Sequence, residues 1–272
     1  MHTDITKKIK IILGDFYFDK GPSKIFNSNV IQFLDVVSKQ IITDKKLISH
    51  PDLISFGFWC RKSNILRIKE NYPQNQLMMG RGTVLHICPS NIPLNYAYSL
   101  VFGLLSGNNN IIRLPSKNFI QTNLLNKILL RILNNKKFIP IKKTFCLIKY
   151  EKSGKVSSEL SRNVNARLIW GGDATIGEFK SYYTPPRCVD LCFSNRFSIS
   201  VINKDKIFKL NKDQLNILAN NFYNDCYTMD QQGCSSPQAI FWISKNKVTK
   251  TDNFWMAIKK NNKKRYNDDL AI

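Results

Sequence analysis

Residues 83–114 read TVLHICPSNIPLNYAYSLVFGLLSGNNNIIRL, and this stretch decides the fold class. A buried strand over 83–88 is followed by a turn rich in Pro, Ser and Asn, and then by an apolar helix over 94–105. Gly107 stands where a left-handed residue usually ends a helix, and a second strand begins at residue 111. This order of elements is typical of a βαβ unit, so we predict an α/β fold with a Rossmann-like parallel sheet.

The same alternation continues on both sides of this stretch. The further predicted elements are, in chain order, helices over 29–39, 51–70 and 118–133, strands over 144–150, 166–170 and 197–202, a helix over 213–227, a strand over 238–243 and a helix over 252–260. We therefore predict a helical N-terminal region over 1–79, a Rossmann-like domain over 80–202 and the beginning of a second α/β domain over 203–272.

Composition limits the class of protein. The chain has 272 residues, 43% of them hydrophobic, which is enough for one large or two smaller domains. No run of about 18 apolar residues occurs, so no membrane span is expected. The N-terminus lacks the cleavage site of a signal peptide, and a cytoplasmic location is expected. Seven cysteines without regular spacing argue against a disulfide framework and against a metal site.

The chain is strongly basic, with 41 Lys and Arg against 19 Asp and Glu and a formal net charge of +22. Nucleic-acid binding is one explanation of such a charge. The basic residues are spread along the chain, however, which favours either a compositional bias on a solvated surface or attraction of phosphate-bearing ligands. We expect no nucleic acid among the partners.

Two segments carry residues that suit a nucleotide. Gly171 and Gly172 lie between a strand and a helix, where the backbone can approach a pyrophosphate, although such turns are more often structural. Arg113, Ser116 and Lys117 lie where a strand ends and a helix begins. These three could bind a ribose phosphate or could equally form a solvated loop.

Cys234 differs from the other cysteines in its surroundings. It lies in a polar loop, GCSSP over 233–237, rather than on an apolar stripe. A thiolate there could attack a thioester carbonyl and hold the acyl group covalently. Burial as a small hydrophobic residue is the more common fate of a free cysteine, and both explanations stay open on chemistry alone.

Several strings in the sequence carry a resemblance to a known family. They are GRG (80–82), HI (86–87), PSN (89–91), YAYSLVFGLL (96–105), WGGDAT (170–175), PR (186–187), VDL (189–191) and CSSPQ (234–238). In this order they resemble the aldehyde dehydrogenase superfamily and, more closely, the LuxC-type acyl-CoA reductases, the fatty acid reductase component of bacterial luminescence systems. The resemblance runs from about residue 28 to beyond residue 243.

The resemblance implies roles in acyl transfer. Cys234 falls on the nucleophile that accepts the acyl group, and Asn91 on the asparagine whose amide stabilises the oxyanion. Hydrolytic aldehyde dehydrogenases have a Glu in a Leu-Glu-Leu-Gly-Gly string, and the matching string here is LCFSNR over 191–196. Cys192 therefore stands in place of that Glu. Without this base the site would hydrolyse the acyl-enzyme poorly, which favours reduction to an aldehyde.

The resemblance also implies a cofactor. Arg113, Ser116 and Lys117 fall in the region that binds the adenosine ribose, where positive charge favours the 2′-phosphate of NADPH. Gly171 and Gly172 fall on the turn beside the pyrophosphate. The domain over 80–202 would then bind NADP, and residues 203–272 would begin the catalytic domain.

The implied activity is NADPH-dependent reduction of a long-chain fatty acyl thioester, either acyl-CoA or acyl-protein, to a fatty aldehyde. The implied partners are the acyl substrate, an acyl-protein synthetase and, in full-length members, further copies of the chain. Family members continue well beyond the nucleophile, whereas this chain ends soon after Cys234, so we expect a C-terminally truncated chain. The alternative is a truncated relative that binds the nucleotide with weak or no turnover.

Overall fold

The computed structural model describes residues 7–151, 154–245 and 251–265. The chain divides into two compact units, Met1–Ser194 and Asn195–Ile272. This division falls earlier than the boundary that we predict at residue 203. The reason is that the strand over 198–203 pairs with the strand over 237–243 and not with the larger sheet.

The first unit is built on a six-stranded sheet. Its strands are β1 (Lys10–Gly14), β2 (Thr83–Ile87), β3 (Asn109–Arg113), β4 (Phe145–Lys149), β5 (Ala166–Trp170) and β6 (Val189–Phe193). They lie in the order β1-β4-β3-β2-β5-β6, with β2 to β6 parallel and β1 antiparallel to β4. From β2 the chain adds β3 and β4 toward one edge of the sheet, and it then returns to add β5 and β6 on the other side of β2. The strand order therefore reverses between β2 and β5, as in doubly wound sheets. The predicted α/β fold with a parallel sheet is confirmed.

Helices cover both faces of this sheet. They are α1 (Ser28–Thr43), α2 (Pro51–Trp59), α3 (Lys62–Glu70), α4 (Asn95–Leu105), α5 (Ile120–Leu133), α6 (Ile139–Lys142), α7 (Gly154–Ser161) and α8 (Asp173–Lys180), with short 3-10 helices at Lys45–Leu47 and Lys136–Phe138. Ile112 and Leu147 pack with α1 to α6, whereas Ile111 and Ile148 pack on the other face with α7 and α8. Strands buried on both faces read as continuous apolar runs, which is why the central strands are visible in the sequence.

The single helix predicted over 51–70 is two helices, α2 and α3. Arg61 leaves the helical conformation with ψ of 138°. Its Nε donates a hydrogen bond to the Phe58 carbonyl oxygen at 3.1 Å, and the Asn64 amide donates to the Trp59 carbonyl oxygen at 2.7 Å. These polar side chains satisfy carbonyl groups at the end of α2, so the break leaves few backbone groups without partners.

The N-terminal region, predicted to be helical, also contributes strand β1. Ile9 and Leu13 are buried whereas Lys10 is exposed, which is the alternation expected of an edge strand. A register irregularity between Ile11 and Leu13 interrupts the alternation. This interruption shortens the alternating stretch, so the sequence signal for β1 is weak.

The second unit contains a two-stranded parallel sheet with helices packed against it. Its elements are β7 (Ser198–Asn203), α9 (Lys204–Ile207), α10 (Lys212–Cys226), β8 (Pro237–Ile243) and α11 (Asp252–Arg265). Phe222 and Cys226 of α10 pack against Phe254 and Ile258 of α11. Helix α10 begins with a capping box, and it leads directly into the loop that carries Cys234.

A buried polar network joins β2, β3 and α4 inside the first unit. His86 is fully buried, with Nδ1 2.8 Å from Ser99 Oγ and Nε2 3.0 Å from Asn110 Oδ1. Gly103 lies beside it, and a Cβ at that position would collide with the Asn110 side-chain oxygen. The strings at 86–87 and 96–105 therefore include residues that hold the core together.

The stability of the fold should fall as the pH drops from about 6.5 to about 4. Burial lowers the pKa of His86 to about 4, whereas an unfolded histidine titrates near 6.5. Within this window the unfolded chain binds a proton that the folded chain does not, so the free energy of unfolding falls by about 3 kcal/mol. Urea unfolding at several pH values measures the effect. His86→Gln should remove this part of the pH dependence and His50→Gln should retain it; equal slopes in wild type and His86→Gln would contradict the assignment.

Candidate active site and cofactor site

The carboxyl ends of β2 and β5 flank the point where the strand order reverses. Ligands of doubly wound sheets bind in the crevice outside this edge. Asn91 lies in the exposed loop that follows β2, and Gly171 and Gly172 directly follow β5. The fold thus brings two sequence-predicted segments to the same edge of one sheet.

The turn after β5 carries little positive charge. The Gly171 N–H donates a hydrogen bond to the Phe193 carbonyl oxygen at 3.2 Å, and Gly172 is the N-cap of α8 without a side-chain cap. Asp173 lies in the first turn of α8. Its carboxylate opposes a phosphate at that helix terminus. A dinucleotide at this edge would need cations from other elements.

An open pocket of about 470 Å³ lies farther along the same edge, at the ends of β3 and β4. Its lining residues are Lys7, Lys8, Ile9, Lys10, Arg113, Leu114, Ser116, Lys149, Tyr150 and Glu151. Arg113 and Ser116, which the sequence singles out, share this pocket. Lys117 is not among the described lining residues, and its ammonium lies 5.4 Å from the centre of the Phe119 ring.

The cations of this pocket are held in place by neutral partners. The Arg113 guanidinium lies 4.7 Å from the centre of the Tyr150 ring, a cation–π contact. The Tyr150 hydroxyl is 3.1 Å from Ser157 Oγ, and burial raises its pKa, so the ring stays uncharged. The Lys149 ammonium donates to Asn118 Oδ1 at 2.6 Å. The positive charge of the pocket is therefore not cancelled by these contacts.

Sequence reasoning missed Lys10, Lys149 and Tyr150 as candidates. Lys149 and Tyr150 close a predicted strand, where they look like ordinary polar termini. The run KKIKII over 7–12 offers a signal, because lysines alternate there with isoleucines as in a half-exposed strand. That signal would have indicated a strand but not its partner.

Cys234 occupies the tip of a tight turn in the second unit. The Ser236 N–H donates to the Gly233 carbonyl oxygen at 2.9 Å, which closes the turn around Cys234 and Ser235. The Cys234 carbonyl oxygen accepts a hydrogen bond from Ser198 Oγ at 2.6 Å. The side chain of Cys234 is exposed.

The loop that carries this turn is fixed on its other side as well. Ser236 is buried, and its Oγ donates to the Asp225 carbonyl oxygen at 2.9 Å. Asp230 and Gln231 have φ of 49° and 57°, in the left-handed region that side chains adopt at a cost. Hydrogen bonds from both residues to the end of α10 and the following turn hold this conformation. The turn at Cys234 is thus anchored to β7 and to α10.

The seven cysteines fall into two groups. Cys192 and Cys234 are exposed, and the other five are buried or half-buried. Burial raises the pKa of Cys226 to about 11 and raises those of Cys60 and Cys146 further. Buried thiols of this kind are poor nucleophiles. Exposure therefore leaves Cys234 and Cys192 as the accessible thiols.

Cys192 lies on β6, beside Ile169 of β5 in the parallel register. Asn91 and Cys192 belong to the first unit and Cys234 belongs to the second. The expected approach of the Asn91 amide to the Cys234 sulfur stays a prediction.

Two other kinds of feature are absent from the described ranges. No helix there has the length and apolar character needed to cross a membrane. The same ranges hold no group of three or more His, Cys, Asp or Glu side chains that could bind a metal ion.

Comparison with known proteins identifies the family. Residues 61–265 match the sequence model of the family described as acyl-CoA reductase (LuxC). The chain belongs to the LuxC family. The match includes Asn91, Arg113, Gly171, Gly172 and Cys234 and confirms the resemblance carried by the motif strings. Strand β1 lies outside the matched residues.

Individual relatives agree with the LuxC assignment. The long-chain acyl-protein thioester reductase of Aliivibrio fischeri is 24% identical over 168 residues, which cover 61% of this chain and 33% of that protein. The NAD-dependent aldehyde dehydrogenase of Sinorhizobium meliloti superposes with a TM-score of 0.62 at 15% identity, over 87% of this chain and 49% of that one. An aldehyde dehydrogenase of Bartonella henselae gives 0.57 at 14% identity, over 87% and 52%.

These alignments also fix how far the likeness extends. The chain spans about half the length of the solved structures that it matches, and its alignment covers a third of the curated relative. At such identities the solved structures show the fold alone: this LuxC family member has the aldehyde dehydrogenase fold over most of its length.

Proposed function

We propose that this protein reduces a long-chain fatty acyl thioester to a fatty aldehyde with NADPH, and that Cys234 carries the acyl group. The observation that carries the proposal is the exposed and anchored turn at Cys234 in a member of the acyl-CoA reductase family. The name of the Aliivibrio fischeri relative, a long-chain acyl-protein thioester reductase, supports this substrate class.

The first step transfers the acyl group to the protein. The Cys234 thiolate attacks the thioester carbonyl carbon, and a carbon–sulfur bond forms as the carbonyl electrons move to oxygen. Asn91 is the proposed donor to this oxyanion through its side-chain amide. The oxyanion collapses, the original carbon–sulfur bond breaks, and the thiolate of CoA or of the carrier protein leaves. An acyl-cysteine remains on Cys234.

The first unit has features that fit a dinucleotide. Its strand order reverses between β2 and β5, two glycines follow β5, and a cation-lined pocket lies along the same edge. Arg113 and Ser116 would hold the ribose phosphate, and Gly171 and Gly172 would lie beside the pyrophosphate. A bound NADPH would supply the hydride that reduces the acyl carbon, and Cys234 would then be released as the thiolate when the aldehyde leaves. Lys117 is a weaker candidate than Arg113, because it is not among the described lining residues of the pocket.

Single-turnover measurements test the proposal. The protein is acylated with a labelled long-chain acyl-CoA, freed of excess reagent and mixed with NADPH. We expect labelled fatty aldehyde in an amount equal to the acyl group lost from the protein. The alternative is that this chain binds the nucleotide without turnover. In that case the labelled acyl group would stay on the protein after NADPH is added. An acyl-protein synthetase partner, self-association and a cytoplasmic location stay predictions.

Because residue 192 is a cysteine and not a glutamate, we expect the acyl-enzyme to resist hydrolysis in the absence of NADPH. A glutamate at this position would activate water as a carboxylate base, and the side chain of Cys192 has no carboxylate. Cys192→Glu should therefore shorten the lifetime of the acyl-enzyme about a hundredfold and release fatty acid. The Cys192→Gln variant is the control, since it matches the shape without the base. Equal lifetimes in Cys192→Glu and Cys192→Gln would count against the alignment of Cys192 with the water-activating glutamate.

A further inference from the structure

The antiparallel orientation of β1 brings its first residues to the edge where the parallel strands end. Lys10 at the start of β1 is directly opposite Lys149 at the end of β4. Both line the pocket that also contains Arg113 and Ser116. Like charges opposite each other on neighbouring strands destabilise the pair. The fold therefore maintains an unfavourable juxtaposition of cations at this point.

The cations of this pocket have few acidic partners in the described part of the chain. The ion pairs found there join other residues, and Lys10, Lys149 and Arg113 take part in none of them. Lys149 donates to a neutral amide, and Arg113 contacts a neutral ring. Glu151 is the only carboxylate among the described lining residues, so cations outnumber anions in the pocket. A ligand with more than one negative charge would relieve the repulsion.

We propose that β1 is part of the cofactor site, and that Lys10 and Lys149 join Arg113 and Ser116 in binding a phosphate monoester on a ribose. This assignment rests on the proposed function for the identity of the nucleotide. It goes beyond that function because Lys10 lies outside residues 61–265, which match the family. The preference for NADPH over NADH then depends on a strand that the motif strings do not include.

The chemistry of the pocket suits this group. A phosphate monoester carries a charge of about −1.5 to −2 at neutral pH and three strong acceptor oxygens. Two ammonium groups from facing strands can approach it together, and the Arg113 guanidinium, 4.7 Å from the centre of the Tyr150 ring, lines the same pocket and can donate charge-assisted hydrogen bonds. The Ser116 hydroxyl adds a neutral donor. A ribose without the phosphate would leave the cations to repel each other.

The test compares two probes that differ in one phosphate. Binding of 2′,5′-ADP and of 5′-AMP to the full chain is measured by calorimetry. The double variant Lys10→Gln/Lys149→Gln removes the facing cations, and Lys62→Gln/Lys127→Gln removes two exposed lysines from α3 and α5 as a charge-matched control. We expect the first variant to weaken 2′,5′-ADP at least about tenfold, because charge-assisted hydrogen bonds are lost. Its affinity for 5′-AMP and its thermal stability should be unchanged or higher.

Two results would overturn the assignment. One is an affinity of the wild type for 2′,5′-ADP that does not exceed its affinity for 5′-AMP or for generic duplex DNA. The other is an equal loss of 2′,5′-ADP affinity in the two double variants. Acylation of Cys234 is measured on the same samples and needs no nucleotide, so failure of the proposed acyl transfer would be visible separately.

Discussion

Asp190→Ala should lower the free energy of unfolding by about 3 to 5 kcal/mol, because it leaves a buried guanidinium without its counter-ion. Arg167 is 2% exposed, and its Nε and Nη2 donate to the two Asp190 carboxylate oxygens at 2.7 and 2.5 Å. Its remaining nitrogen donates to Ser161 Oγ at 3.1 Å and to the Phe179 carbonyl oxygen at 2.8 Å. Urea unfolding measures the loss.

A matched ion pair on the surface provides the control. Asp19 pairs with Lys143 at 3.2 Å, and both side chains are largely exposed. Asp19→Ala should change the free energy of unfolding by less than about 1 kcal/mol. The double variant Arg167→Met/Asp190→Leu should recover most of the loss, since it removes both charges together. If Asp190→Ala destabilised the fold no more than Asp19→Ala, the pair would not have the role assigned to it.

Cys234→Ala should reduce aldehyde formation at least about a thousandfold, because the residue that carries the acyl group is lost. Cys192→Ala is the matched control: its thiol is also exposed, and its removal should leave reduction largely intact. Aldehyde released from labelled acyl-CoA in the presence of NADPH is the measurement. Binding of 2′,5′-ADP should be the same in both variants, which separates loss of chemistry from loss of fold. Comparable activity in Cys234→Ala and wild type would contradict the assignment.

The core of the fold could be predicted from the sequence because its elements have clear local patterns. Strand β2 and helix α4 are nearly continuous apolar segments, Ile111 and Ile112 mark β3, and Gly107 follows α4 with φ of 74°. Strand β6 was missed because it is short and lies at the sheet edge, where the apolar side chains of Val189 and Leu191 are exposed and not buried in a core. The place of β6 in the sheet depends on its pairing with β5, and the sequence of residues 189–193 alone gives no information about that pairing.

The parts of the candidate site that could be predicted are those whose exposure follows from neighbouring residues in the sequence. The Gly, Ser and Pro neighbours of Cys234 indicated an exposed loop, and the structure places it in one. The pairing of Lys10 with Lys149 depends instead on contact between distant segments.

Some family strings have structural roles that the sequence does not reveal. Arg81 of the GRG string donates to the Asn165 and Arg187 carbonyl oxygens, at 3.2 and 2.6 Å. It thereby links the segment before β2 to the segments before β5 and β6. These contacts account for Arg81 without any part in catalysis.

The central claim is that Cys234 is the acyl acceptor, and mapping the acyl group tests it most directly. The protein is incubated with a labelled long-chain acyl-CoA without NADPH, digested, and examined by mass spectrometry for thioester-linked peptides. We expect the label on Cys234 alone among the seven cysteines, and none in the Cys234→Ala variant. Label on Cys192 or Cys226, or undiminished label in Cys234→Ala, would contradict the account.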